Sequence, residues 1–326
     1  MATRIVLTDI APQAWEHPAD RAALNALRAI PGFDDVVRKV ASFFGEKGLR
    51  QLFLANAVKV GPTQRPRLDA LLTEVLEAFD WKERPEFYVT QSPQLNAAAI
   101  GFDKPFIVLN SSALEHLDDD ELRVIIAHEV AHIMSGHIVY RTIALIIVTV
   151  GLSALPFLAA AVLFPFQMAL LEWYRKSELS SDRGTLLAVQ DQRAVMSTFL
   201  KLAGGRDYGD RIDVDAFVEQ AAAYEAQGDV VDRVWQVLNT VLRHHPFNTV
   251  RAGELKRWID TGAYATIVGG TYLRRADAKA QRDVGRDVSE AGDYYADKAR
   301  AAAKGFGDVF GRARDAFDDA FKGGSR

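Results

Sequence analysis

Two histidines and a glutamate stand at a usable spacing in His128-Glu129-Val130-Ala131-His132. On a helix, positions i and i+4 share a face and lie about 6 Å apart along the axis. Imidazoles so placed can close on one zinc ion, and the Glu after the first His reaches a water molecule held beside it. A hydrolytic zinc site needs a third protein ligand and one open position. None of the 326 residues is a cysteine. The third ligand must therefore be His, Asp or Glu, and thiol nucleophiles and disulfide frameworks are excluded as well.

His137 is the nearest further histidine, but five residues beyond His132 it points about 140° away around the helix. The HExxHxxGxxH pattern misses too, because the glycine here is Gly136 and the last His is His137. His137 reads as a helix-end residue that packs or caps. Glu178 and Asp182 in Ser177-Glu178-Leu179-Ser180-Ser181-Asp182 are better placed, again at i and i+4. Glu178 can ligate, while Asp182 can hydrogen-bond the outer nitrogen of a liganding His and fix its tautomer. Alone, such a pair is an ordinary solvated helix face; the upstream motif gives it weight.

The same chemistry assigns Glu129 as general base, taking the proton of the zinc-activated water and passing it to the leaving amine. A donor must also face the tetrahedral oxyanion. His245 is the candidate and His244 its rival; the two also read as a helix-end pair interacting with terminal carbonyls. His128 and His132 must be neutral to bind, so activity should fall in acid.

These residues need elements to hold them. Ala22–Ile30 and Val36–Phe44 show helical periodicity on either side of Pro31-Gly32, and Leu68–Phe79 repeats it. Phe87-Tyr88-Val89-Thr90 is β-rich. Asn96–Ile100 and Phe106–Leu109 flank Gly101–Pro105 as a hairpin would, predicting a small antiparallel sheet of about three strands. From Asp118 the chain reads as helical. Asp118 and Glu121 form a capping-box start for the His128 helix, and a second helix should carry Glu172–Val189. Val214–Ala226 and Val230–Leu242 are further helices. After Tyr272 the composition shifts to Ala, Arg, Asp and Gly. There Phe306, Phe310, Phe317 and Phe321 recur at helical spacing, either as an interfacial helix or as a tail that orders against a partner.

Residues 142–171 carry no charge, as a membrane span would. One crossing would put the His128 helix and Glu178 on opposite sides of a bilayer, where they could not share an ion. Two crossings need about 40 apolar residues plus a turn, more than this run holds. A hydrophobic helical hairpin bending near Pro156 remains, either packed on the domain or dipping into one leaflet.

The pattern His128-Glu129-x-x-His132 followed by Glu178-x-x-x-Asp182 resembles the gluzincin zinc metallopeptidases of the HtpX and CAAX prenyl protease type. Asn96-Ala97 with Ile100-Gly101 resembles that family's edge strand, which pairs with the peptide substrate. Phe106–Leu109, Leu114 and Asp120-Glu121-Leu122 resemble its approach to the zinc helix, and His245-Pro246 with Arg251 and Leu255 its C-terminal motif. The resemblance spans roughly residues 65 to 260. It departs at Ala98-Ala99, where an aromatic is common, and in the shortness of the uncharged insert.

It implies a mostly helical α+β, zincin-like metalloendopeptidase with one Zn²⁺ per chain. His128, His132 and Glu178 would be the ligands and Asp182 their outer partner. Asn96, Ala97 and Ala98 would bind an extended peptide by β-augmentation. The expected organisation is a helical segment 1–64, a peptidase domain 65–272 with the insert 142–171, and a charged tail 273–326. Partners are protein or peptide substrates and, through the insert and tail, a membrane surface. A net charge of -4 argues against nucleic acid. The N-terminus shows no apolar run of signal-peptide length, predicting no cleaved signal and a place in the cytoplasm or at the inner face of a membrane. The rival readings are a noncatalytic membrane-associated scaffold or chaperone-like binder that keeps the metal as a clip, and a latent protease held shut by its own loop or His245.

Overall fold

The computed structural model describes residues 4–29, 33–150, 157–205, 212–226 and 247–278. These are mostly helical, with one four-stranded sheet, the α+β arrangement the sequence predicts. The strands are β1 (Ala57–Lys59), β2 (Glu86–Thr90), β3 (Ala97–Ile100) and β4 (Phe106–Asn110), in the order β1-β2-β4-β3. β3 and β4 form the expected antiparallel hairpin, with Ala97 opposite Leu109 and Ile100 opposite Phe106. The sheet as a whole corrects the expectation of antiparallel pairing, because β2 and β4 run parallel. β4 is buried over Phe106–Leu109, and an apolar run covered on both faces belongs in the sheet interior. It therefore takes the place beside β2 and leaves β3 on the edge. β1 was not foreseen; its three residues are half-buried or exposed and carry no alternating pattern.

Alternation along the central strands feeds two cores. Phe87, Val89, Ile107 and Leu109 join the main core. Tyr88, Phe106 and Val108 face the other way, against Leu49 and Ile146. The helices that matter to the site are α1 (Pro18–Arg28), α2 (Phe33–Leu54), α3 (Pro66–Ala78), α4 (Ser112–His116), α5 (Asp119–Met134), α6 (Ile138–Val150), α7 (Phe157–Val189), α8 (Gln192–Gly204), α9 (Val214–Ala226) and α10 (Asn248–Asp260).

The capping box of α5 forms as predicted. Glu121 N–H donates to Asp118 Oδ1 and Asp118 N–H to Glu121 Oε2, both at 3.0 Å. The spare capacity of Glu121 ties α5 to α8 through Ser197 and Lys201, each at 2.6 Å. α7 is longer than its sequence pattern indicated. It begins at Phe157 and not near Glu172, so the second half of the uncharged run and the segment bearing Glu178 are one helix. α6 and α7 pack together as arms of the expected hairpin; Pro156 lies outside the described residues. Among the described residues no helix is long and apolar enough to cross a membrane.

α5 and α7 approach closely because Gly184 has no side chain. A β-carbon there would sit 2.8 Å from Ala131 Cβ and 3.0 Å from Trp15 Nε1. Trp15, with Leu7 and Ile10, is buried in the main core, so the N-terminal stretch braces this contact. The expected helix 230–242, His244, His245 and the Phe306–Phe321 tail lie outside the described residues.

Candidate metal centre

α5 is buried along most of its length, and it presents His128, Glu129 and His132 to one side of the α5–α7 contact. α7 answers with Glu178 and, one turn on, Asp182, all within the protein interior. His128 Nε2 and His132 Nε2 are 3.1 Å apart. Glu178 Oε2 is 3.3 Å from His128 Nε2, and Glu178 Oε1 is 3.4 Å from His132 Nε2. Donors about 2.1 Å from a tetrahedral ion stand roughly 3.4 Å from one another, so this spacing fits a single ion. Among the described residues these three form the His/Asp/Glu group able to hold a metal. The donor set also fits: two imidazoles and a carboxylate without sulfur suit zinc. Charge agrees too. The carboxylates Glu129, Glu178 and Asp182 outnumber the buried guanidiniums beside them, Arg141 and Arg251, a balance that a cation at this place would redress.

Each imidazole has its own outer support. His128 Nδ1 meets Asp182 Oδ1 at 3.2 Å. Arg251 of α10 clamps Asp182 with two bonds, Nε to Oδ2 at 2.9 Å and Nη2 to Oδ1 at 2.5 Å. His132 Nδ1 meets His137 Nδ1 at 3.0 Å, and His137 Nε2 meets Asp20 Oδ2 at 3.0 Å. Asp20 Oδ2 also accepts from Ser180 Oγ at 2.5 Å. Arg141 hydrogen-bonds Glu178 Oε1 and lies 4.0 Å above the Tyr174 ring.

Burial alone would lower the pKa of His128, but hydrogen bonds to Asp182 and Glu178 prevail and raise it to about 9. Proton and metal therefore compete for this ring. Burial, with Arg141 nearby, pushes His132 well below its usual value and keeps it neutral. Burial would raise Asp182, but Arg251 pulls it down and keeps it ionised. Asp20 is lowered in the same way, its burial outweighed by His137 and Ser180.

Glu129 Oε2 accepts from Ala99 N–H of the edge strand at 2.7 Å, so the carboxylate is oriented before any substrate arrives. A cleft of about 610 Å³ opens over the centre. Its lining includes Asn96, Ala97, Glu129, Phe199 and Phe247. Of the residues read from sequence, the fold brings His128, Glu129, His132, Glu178, Asp182, Asn96 and Ala97 to this place. Ala98, next along β3, pairs with Val108 of β4, and His245 lies outside the described residues. The sequence reading missed Asp20, Arg141 and Ser180, and gave His137 only a packing role. It named Arg251 without seeing its clamp on Asp182. The available signal was weak: buried serines beside Glu178, and an arginine at the border of the uncharged run.

Residues 62–259 match the model of peptidase family M48. Over 281 residues the chain is 34% identical to the Plastoglobule-localized metallopeptidase 48, chloroplastic, of Arabidopsis thaliana, covering 85% of this chain and 79% of that protein. Over 196 residues it is 26% identical to a Protease HtpX homolog of Helicobacter acinonychis (strain Sheeba), covering 52% of this chain and 63% of the relative. No solved structure matches the chain significantly. The matched family region holds both histidines, Glu178 and Arg251, so the chain belongs to peptidase family M48 and is a metalloprotease that acts on protein or peptide substrates.

Proposed function

We propose that the chain is a zinc-dependent endopeptidase with His128, His132 and Glu178 as ligands. The observation that carries this is the convergence of their donor atoms at 3.1 to 3.4 Å between two helices far apart in sequence. Bound by these residues, zinc would supply Lewis acidity toward the scissile carbonyl and toward the attacking water. Glu129 accepts the proton of the attacking water and returns it to the leaving amine. Its Oε2 is anchored on Ala99 N–H, which leaves Oε1 to move the proton. Asp182, clamped by Arg251, holds the outer nitrogen of His128. His245 donates to the oxyanion, with His244 as the rival; Phe247, just behind them in the chain, lines the cleft.

The substrate lies extended along β3. Ala99 N–H is taken by Glu129, and Gly101 exchanges hydrogen bonds with Thr142 Oγ1 at 3.1 Å. Asn96 C=O is taken by Asn110 N–H at 3.0 Å, so backbone pairing with a peptide centres on Ala97, with Asn96 beside it in the cleft lining. The experiment is a casein digest with metal analysis of wild type and Glu129→Gln. About one zinc per chain should stay bound in the variant, while turnover falls by roughly 10²–10⁴-fold. Full activity of the variant removes Glu129 as base, and a protease indifferent to chelation removes the metal.

In this reading the uncharged run 142–171 also brings the protein to a lipid surface, although Thr142, Ile143, Ala144, Ile146, Leu170 and Leu171 at its two ends are themselves buried in the protein. The charge-free run 142–171 supports it, as does the similarity to a relative whose name places it at plastoglobules. Co-sedimentation with phospholipid vesicles is the check; recovery entirely in the supernatant sinks this part.

A further inference from the structure

The geometry points to Asp20 as a positioning residue of the metal centre, acting through His137 on His132. This rests on the zinc reading above. Asp20 belongs to α1, outside the region 62–259 that matches the family, and it reaches the centre because α1 packs along α7.

The hydrogen-bond order is determined by what lies at its end. His132 turns Nε2 toward His128 and Glu178, so a liganding His132 must carry its proton on Nδ1. That N–H donates to His137 Nδ1 at 3.0 Å. Accepting there places the proton of His137 on Nε2, which donates to Asp20 Oδ2 at 3.0 Å. Asp20 cannot reverse the order, because an ionised carboxylate only accepts, and Ser180 Oγ donates to the same oxygen at 2.5 Å. Ser180 is itself held by His17 N–H at 2.9 Å. Asp20, His137 and His132 are 2%, 2% and 0% exposed, so bulk water does not reach any member. Outer partners of this kind orient a ligand and set its basicity, and their loss typically weakens metal binding 10–100-fold.

The test uses the full chain and reads zinc affinity by chelator competition, together with ¹⁵N shifts of the labelled imidazoles in the zinc-loaded protein. Asp20→Asn keeps the shape and removes the charge. His137→Phe keeps a ring against Trp173 and removes the acceptor, whereas His137→Asn restores an acceptor near the Nδ1 position. Asp20→Asn and His137→Phe should each weaken zinc 10–100-fold, with the double variant no worse than the poorer single. His137→Asn should recover most of the loss, and the single Nδ1–H signature of His132 should blur in the first two variants.

If wild type binds zinc and the variants bind it equally well, the relay is overturned while the zinc reading stands. Weakened binding with the His132 signature unchanged also overturns it, since a purely structural role predicts that result. If wild type takes up no zinc, both fall. Should Asp20→Asn not fold, Asp20→Ser, which removes the carboxylate with less bulk, takes its place in the same two readouts with the same outcomes deciding.

Discussion

The two sides of the metal centre solve one problem in different ways. His128 leans directly on Asp182, four residues after Glu178 on the same helix, with Arg251 locking the carboxylate. His132 leans on His137, and the carboxylate behind that ring comes from α1 at the other end of the chain. Direct contact with two carboxylates makes His128 strongly basic, about 9. His132 meets Glu178 but has an imidazole where His128 has Asp182, and burial with Arg141 keeps it neutral. The lesson is that one histidine pair can hold unequal rings: one that keeps its proton, and one already neutral.

The harshest way to break this comparison is to remove what both rings share. Glu178→Ala should abolish zinc retention and proteolysis together, read by metal analysis and a casein digest; retained zinc at full stoichiometry contradicts the ligand assignment. Next comes the lock on the His128 side. Arg251→Met removes the bidentate partner of the buried Asp182 charge and leaves only His128 against it, and should cost about 3–5 kcal/mol in urea unfolding. A cost below about 1 kcal/mol, the range of surface pairs, would show that the clamp carries little.

The His132 side has a pH signature through its neighbour His17, which caps α1 by accepting from Ala19 N–H. Burial pushes His17 down to about 4 against a normal 6.5, despite Glu254 facing it at 3.7 Å; Arg183 and Lys176 add to the lowering. A depressed histidine stabilises the fold fully above pH 6.5, and that stability is lost as pH falls toward 4, where the unfolded chain binds the extra proton. The loss is about 3 kcal/mol. His17→Asn keeps a cap acceptor without the titration, so chelator-treated variant should lose about that much less than wild type between pH 6.5 and 4. Identical pH profiles by urea unfolding count against this. The smallest effect is on the platform both sides use: Gly184→Ala presses a methyl against Ala131 and Trp15. It should cost about 1–3 kcal/mol, seen as a lower Tm with zinc affinity reduced but not lost.

Much of the active region was legible before folding because its signals are local. The spacing of His128 and His132, the capping box at Asp118, and the pair Glu178 and Asp182 all express one period of one helix. The β3–β4 hairpin is equally local, since a turn separates its strands. What escaped had no local trace. The parallel pairing of β2 with β4 depends on which strand can be covered on both faces. The start of α7 at Phe157 was hidden by a change from apolar to charged composition, although helical geometry continues through it. Asp20 drew no notice in the sequence, standing just ahead of the helical periodicity that begins at Ala22.

By itself the amino-acid order determined which groups can bind a metal and which helix faces carry them, because side-chain type and helical period are properties of short segments. It also singled out Glu129, the proposed acid–base residue, by its adjacency to His128. The tertiary structure alone decided that α5 and α7 touch at Gly184, that Arg251 and Arg141 supply the buried counter-charge, and that α1 reaches behind His132. Those contacts join residues far apart in the chain, and their energies depend on burial and exact partners, which exist only once the core has closed.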